Sequence, residues 1–188
     1  MSGFTYSELA NVQGLCVDLP RRVLFVYGEL DAEKAAQVQT AIYALECDGD
    51  GEVVVRLNSC GGNVSAGMAI YDALATADFT SLSVVVCGEA MSMAVPILQA
   101  GNHRRMTPNS RLFFHRASFA LEEELDEAGL EKRLKDMQAM ERQYEAIVAV
   151  RSGVSRKTIQ KWTRNETYFL AEEAVKLGLA DEVVKCKR

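Results

Sequence analysis

Strand-like runs that stop at glycine and give way to helix-like stripes recur through the first half of the chain, and that alternation leaves few architectures open. Residues 22–28, Arg-Val-Leu-Phe-Val-Tyr-Gly, read as a strand closed by glycine, after which Asp31 is placed to cap a helix running through about Cys47. Within that helix Ala35, Val38, Ile42 and Leu45 recur at three- and four-residue steps, which makes one apolar stripe. Asp48-Gly49-Asp50-Gly51 is a turn, and residues 52–58 form the next strand. Its near-continuous apolar character, with Val53-Val54-Val55 at its centre, predicts a sheet covered on both faces. Ser59-Cys60-Gly61-Gly62-Asn63 is expected to be a flexible bend before a helix over about residues 65–77. A third strand, residues 82–87, leads into a helix bearing Ser92, and Arg111-Leu112-Phe113-Phe114-His115 is a fourth. Helices crossing over between roughly parallel strands describe an α/β domain.

The second half differs in kind. Over residues 121–150, Leu130, Leu134, Met137, Met140, Tyr144, Ile147 and Val148 recur at helical spacing on a strongly charged background, the pattern of a long projecting helix. The acidic run from Glu122 to Glu127 lies where a helix amino terminus favours negative charge, and reads as a solvated face, with an acidic docking patch as the alternative. Ser155 caps a short helix through Trp162, and residues 171–177 form another, ended by Gly178 before a strand over residues 182–184.

Length and charge narrow the function classes. A chain of 188 residues suits one domain, 1–188. A formal net charge of −5 without a basic face argues against nucleic-acid binding. The five cysteines, Cys16, Cys47, Cys60, Cys87 and Cys186, are widely separated with no CxxC spacing, which together with the lack of a signal peptide predicts free thiols in the cytoplasm. The longest apolar stretch is interrupted by Glu89, Ser92, Pro96 and Gln99, so no segment is expected to span a membrane. No cofactor and no metal are expected.

Chemistry enters at Ser92. A hydroxyl where a strand becomes a helix sits beside unpaired backbone N–H groups that can stabilise a developing oxyanion. Nucleophilic serine chemistry further needs a base and a group that orients it. The chain has two histidines. His103 lies in a polar turn beside Arg104 and Arg105, two cations that disfavour a protonated imidazole, whereas His115 ends an apolar strand, where a side chain emerges into a cleft. On these grounds alone a strand-end histidine is structural more often than catalytic.

The pattern around it decides between them. Residues 58–72 (Asn-Ser-Cys-Gly-Gly-Asn-Val-Ser-Ala-Gly-Met-Ala-Ile-Tyr-Asp), 88–94 (Gly-Glu-Ala-Met-Ser-Met-Ala), 108–115 (Pro-Asn-Ser-Arg-Leu-Phe-Phe-His) and 169–181 (Phe-Leu-Ala-Glu-Glu-Ala-Val-Lys-Leu-Gly-Leu-Ala-Asp) resemble, in order and spacing, the ClpP family of serine peptidases. The resemblance runs from about Val23 to Val184. It implies the ClpP/crotonase-like fold, a repeated ββα superhelix with the segment 121–150 as a projecting handle helix. It implies a serine endopeptidase working through an acyl-enzyme, with Ser92 as nucleophile, His115 as general base and Glu166 as the acid. The family more typically has aspartate at that last position, and a surface carboxylate beside Arg164 is the other reading of Glu166. The matching oxyanion donors are the N–H groups of Gly61 and Met93, with Gly62 and Met91 beside the substrate; core packing is the alternative role for Met91 and Met93. Cys60 stands where the family usually has proline, and reads as an inert replacement, with a redox-sensitive thiol as the alternative. Glu89 stands where the family commonly has glutamine.

The resemblance also implies peptide or unfolded-protein substrates, a homo-oligomer built as a heptameric ring or stacked tetradecamer, and an AAA+ unfoldase partner for ATP-dependent proteolysis. Residues 1–20 match the family less well, and Asn165 stands where an arginine commonly makes ring-to-ring ion pairs. Phage and plasmid ClpP-like peptidases, including head-maturation proteases, often carry Glu-Thr-aromatic before the last helix, as Glu166-Thr167-Tyr168 does here. A catalytically silent scaffold subunit and, more remotely, a crotonase-type acyl-CoA enzyme are the competing functions.

Overall fold

The computed structural model describes residues 16–116 and 126–185. Strand β1 (Val17–Asp18) and β2 (Val23–Leu30) lead to helix α1 (Ala32–Cys47), then β3 (Glu52–Gly62), α2 (Val64–Thr76), β4 (Ser81–Met91) and α3 (Ala94–Gln99). The second half comprises β5 (His103–Met106), β6 (Arg111–Phe114), α4 (Glu127–Ser152), α5 (Arg156–Arg164), β7 (Thr167–Leu170), α6 (Ala171–Lys176) and β8 (Glu182–Val183). The strands form one mixed eight-stranded sheet in the order β1-β2-β3-β4-β5-β8, from which β6 branches at β4 and carries β7 on its other edge. All pairings are parallel except β1 with β2 and β6 with β7.

The expected α/β alternation is therefore present, and Asp31 caps α1 by accepting from Lys34 N–H at 2.7 Å. The stripe Ala35, Val38, Ile42 and Leu45 is buried, and packs with Ile70 and Leu74 of α2 in one core with Leu24, Val26, Val55, Leu57, Val84 and Val86. Each large aliphatic side chain so placed contributes about 1.5–3 kcal/mol relative to exposure. The expectation that the second strand is covered on both faces fails. In β3 burial alternates strictly, with Val53, Val55 and Leu57 inside, Val54 half-buried, and Glu52, Arg56 and Asn58 exposed. The valine triplet conceals a period of two, because one of its members packs on the open face.

The branch point of the sheet shapes the site. Along β4, Ser83 to Val86 pair with β5, and Glu89 to Met91 pair with β6. Between them lies Gly88, at φ +144°, where a Cβ would come within 2.5 Å of Asn58 Oδ1. That oxygen accepts Glu89 N–H at 3.0 Å, so Asn58 occupies the space a side chain would need and fixes the bend. A bent strand that changes partners leaves a fork in the sheet, and the fork is where Ser92 emerges.

The region around His103 is strand β5 rather than a polar turn, because Arg104 is drawn inward instead of being solvated. The buried Arg104 guanidinium pairs with Asp181 and donates to Gln99 Oε1 (2.8 Å), Arg151 O (3.1 Å) and Gly178 O (2.9 Å). Arg151 adds bonds to Gln99 O and Gly101 O at 3.0 and 2.6 Å. One buried cation thereby ties the ends of α3 and α4 to β5 and to the approach to β8.

Helix α4 is long, as the periodicity predicts, capped by Asp126 and stopped by Gly153 in the left-handed conformation. The acidic residues Glu122 to Glu124 and the first residues of the expected helix lie outside the described residues. Of α4, Glu145 and Val148 are buried, while Leu130 and Leu134 are each 46% exposed and Met140 is 37% exposed. Among the described residues, the stripe packs on the core at Tyr144 and Val148, and is open to solvent at Leu130, Leu134 and Met140.

Candidate active site

Three adjacent strands end together. Strand β4 stops at Met91, paired with Phe113 of β6, and Ser92 is the next residue. Strand β6 stops at Phe114, paired with Thr167 of the antiparallel β7. His115 is one step past the end of β6 and Glu166 one step before the start of β7, so continuing the ladder by one rung sets them opposite each other. Ser92 is tied into the same corner by its N–H, which donates to Phe113 O at 2.9 Å.

Ser92 is not inside a helix, as the sequence reading has it. It lies in the turn before α3 with φ +51°, and Val95 N–H donates to its carbonyl at 3.0 Å. The left-handed region is rare for a non-glycine residue and costs of order 1–3 kcal/mol, held here by the flanking β4–β6 ladder and α3. Glu166, the residue after the α5 cap Asn165, also has positive φ, +50°. Of the four non-glycine residues with positive φ among the described residues, two are thus among the three singled out from the sequence, the others being Cys16 and Arg22.

The double-glycine segment is the end of β3, not a flexible bend: Gly61 pairs with Glu29 and Gly62 with Leu30. At Gly61, φ +87°, a Cβ would meet Met91 O and Ser92 Cβ at 2.7 Å each, so the strand end is pressed directly against the serine turn. The Gly61 N–H, expected as an oxyanion donor, is already engaged: it donates to Ser59 Oγ at 3.0 Å, and Ser59 Oγ donates to Gly28 O at 2.6 Å. The neighbouring Gly62 amide has a different outlook. Asn63 N–H donates to Leu30 O at 2.7 Å, which in a parallel ladder turns the Gly62 N–H away from β2, toward the serine turn. Met93 N–H, at the start of α3, takes no backbone acceptor among the described residues.

These groups share one cleft of about 910 Å³. Ser92, His115, Cys60, Gly61, Gly62 and Met93 form one wall, and Met137, Met140 and Tyr144 of α4 line the other. Charges of both signs stand around it, Glu29 and Glu141 with Arg116 and Arg142. Met91, expected beside the substrate, is a half-buried β4 residue that does not line the cleft, and neither does the exposed Glu166. Within the described residues no hydrogen bond links the side chains of Ser92, His115 and Glu166. What the fold brings together is therefore the serine, the histidine and two backbone donors in one cleft, with the carboxylate at the adjoining rung.

Sequence reasoning overlooked strand β7, although Thr167-Tyr168-Phe169-Leu170 has the β-branched and aromatic character of a strand. It also left Glu89 without a role. In the structure Glu89 Oε2 accepts from Arg111 Nη2 at 3.1 Å across the β4–β6 ladder. Cys60 is exposed in the cleft, with its Sγ 3.8 Å from Gly61 O, while partial burial pushes the Cys87 thiol up despite the nearby Arg56 charge. Among the described residues no group of three or more His, Cys, Asp or Glu is placed to hold a metal ion, and no helix is long and apolar enough to cross a membrane.

Comparison with protein families agrees with the resemblance seen in the motifs. The family model described as Clp protease matches residues 12–187, which takes in every element from β1 to β8. The chain belongs to the Clp protease family.

Proposed function

We propose that this protein is a serine endopeptidase in which Ser92 attacks the scissile carbonyl, His115 takes and later returns the proton, and Glu166 orients the imidazole. The observation that carries the reading is the common end of β4, β6 and β7, which leaves these three residues on adjoining positions of one corner. Attack by Ser92 Oγ forms a tetrahedral intermediate as its proton passes to His115. Collapse breaks the C–N bond, the same proton goes to the leaving amine, and water then hydrolyses the acyl-enzyme by the reverse route. Gly62 N–H, in place of Gly61, together with Met93 N–H are the oxyanion donors, since Gly61 is committed to Ser59. The cleft volume and its methionine- and tyrosine-lined wall suit an extended peptide with varied apolar side chains.

The chain acts as a single ClpP-like domain, 1–188, with the β2-α1-β3-α2-β4 alternation as repeated units and α4 as the handle. The exposed Leu130, Leu134 and Met140 favour an assembly in which a second copy covers that stripe, and stacked heptameric rings enclosing unfolded-protein substrates are the arrangement the family suggests. An AAA+ unfoldase feeding the chamber and a cytoplasmic location belong to the same reading. A catalytically silent scaffold is the second reading, favoured by the missing hydrogen bonds among Ser92, His115 and Glu166; sites of this kind are often loose before assembly or substrate binding. Turnover of a fluorogenic peptide by the assembled protein, lost in Ser92→Ala, supports the peptidase. Turnover that survives Ser92→Ala refutes it, and no turnover by the assembled wild type favours the scaffold.

A further inference from the structure

The open face of the β4–β6–β7 corner carries a continuous column of side chains that ends on His115. The His115 ring lies on Phe113, with centroids 5.3 Å apart and planes 10° from parallel. Phe113 in turn lies on Tyr168 of β7, at 4.0 Å and 16°. The Arg111 guanidinium sits 5.4 Å from the Tyr168 ring centroid and pairs with Glu89 at 3.1 Å. His115, one residue past the end of β6, is two residues on from Phe113 and stacks on the same face, and Tyr168 is the direct cross-strand partner of Phe113. Glu89 belongs to β4, three residues before Ser92, and pairs in register with Arg111.

We infer that Phe113 and Tyr168 are positioning residues for His115: the stacked plates set the plane of the imidazole at the cleft, and the Arg111–Glu89 pair locks the column to the strand that carries Ser92. The inference rests on the reading of His115 as the base. An imidazole one residue past a strand end, with no side-chain hydrogen bond within the described residues, has its ring orientation set by what it packs against. Aromatic pairs favour stacked or edge-on geometries over the many orientations open to a free ring. A guanidinium facing Tyr168 adds cation–π attraction at the outer end of the column. Glu89 thereby restrains the Arg111 cap.

The test uses the assembled full chain with Phe113→Leu, Tyr168→Leu and the conservative Tyr168→Phe, read in two ways. The first is NMR of the imidazole Cε1–H signals, which are few because the chain has two histidines. Phe113→Leu is expected to move the His115 signal by removing the ring current above it, while the His103 signal stays as an internal control. The second is the rate of Ser92 modification by a fluorophosphonate probe. Phe113→Leu and Tyr168→Leu are expected to slow the limiting rate at saturating probe about tenfold with little change in probe affinity, and Tyr168→Phe to restore it, since the stack survives loss of the hydroxyl. A His115 signal unmoved in Phe113→Leu, or wild-type rates in both leucine variants, overturns the inference. His115→Ala separates the two levels: if it labels at the wild-type rate, the base assignment itself has failed; if it abolishes labelling while Phe113→Leu does not slow it, the positioning role alone has failed.

Discussion

Replacing Gly61 by alanine is the most discriminating perturbation of the site, because it touches the serine turn without removing any reacting group. Two costs arise from the geometry. At φ +87° an L side chain meets backbone strain of about 1–2 kcal/mol. The new methyl also stands 2.7 Å from Met91 O and from Ser92 Cβ, whereas ordinary van der Waals contact begins at 3.4 Å. The serine turn therefore has to retreat by about 0.7 Å, at an overpacking cost of about 1–3 kcal/mol. A displacement of that size at a nucleophile lowers its rate by about ten- to a hundredfold. Gly153→Ala is the matched control: its φ is +75°, and nothing lies within 4 Å of the added methyl. Urea unfolding is expected to show Gly61→Ala destabilised by about 2–5 kcal/mol against about 1–2 for Gly153→Ala. Fluorophosphonate labelling of Ser92 is expected to slow in Gly61→Ala and to stay at the wild-type rate in Gly153→Ala. Equal labelling rates in the two variants would refute the claim that β3 is seated directly on the serine turn.

The Arg104 network gives predictions that concern stability rather than activity. Arg104→Met removes a buried cation, breaks its pair with Asp181 and takes the Arg104 donor from Gln99 Oε1, Arg151 O and Gly178 O, so it is expected to cost about 3 kcal/mol and to lower the melting temperature by about 6–12 °C in calorimetry. Desolvation pushes the Asp181 carboxyl up, but its hydrogen bonds with Arg104 and the charges of Arg104 and Arg151 outweigh it and hold the group below the ordinary value of 3.8. A carboxylate depressed in the folded state adds stability that is complete above the unfolded value and is lost as pH falls through the folded one. Acid unfolding curves should therefore show wild type losing an increment of stability below about pH 3.8 that Asp181→Asn lacks throughout; identical acid limbs would remove Asp181 from the account.

Much of the fold was legible because its signals are local. Asp31 and Ser155 announce helix starts, Gly178 sits where a helix stops, and the stripe Ala35, Val38, Ile42, Leu45 is a period that only one core can bury. The errors fall where a local signal was overridden from a distance. Residues 59–62 look like a bend because they contain two glycines, yet pairing with β2 extends β3 through them. Arg104 and Arg105 look like a solvated turn, and β5 forms because Asp181, distant in sequence, compensates a buried guanidinium. The positions of Ser92 and His115 were readable from the motifs, which imply that the two work together, and what the motifs did not carry is the fork at Gly88, where β4 leaves β5 for β6, that sets both on one cleft. The engagement of Gly61 N–H by Ser59 was beyond reach for the same reason: it requires the β2 carbonyl of Gly28 to orient the hydroxyl.

The central claim is that Ser92 is an acylating nucleophile activated by His115, and intact-mass analysis of the assembled protein after treatment with a fluorophosphonate tests it most directly. The account predicts one adduct on the wild type, mapped to Ser92, no adduct in Ser92→Ala, and labelling slowed by orders of magnitude in His115→Ala. An assembled wild-type protein that remains unmodified, or an adduct that persists in Ser92→Ala, would contradict it.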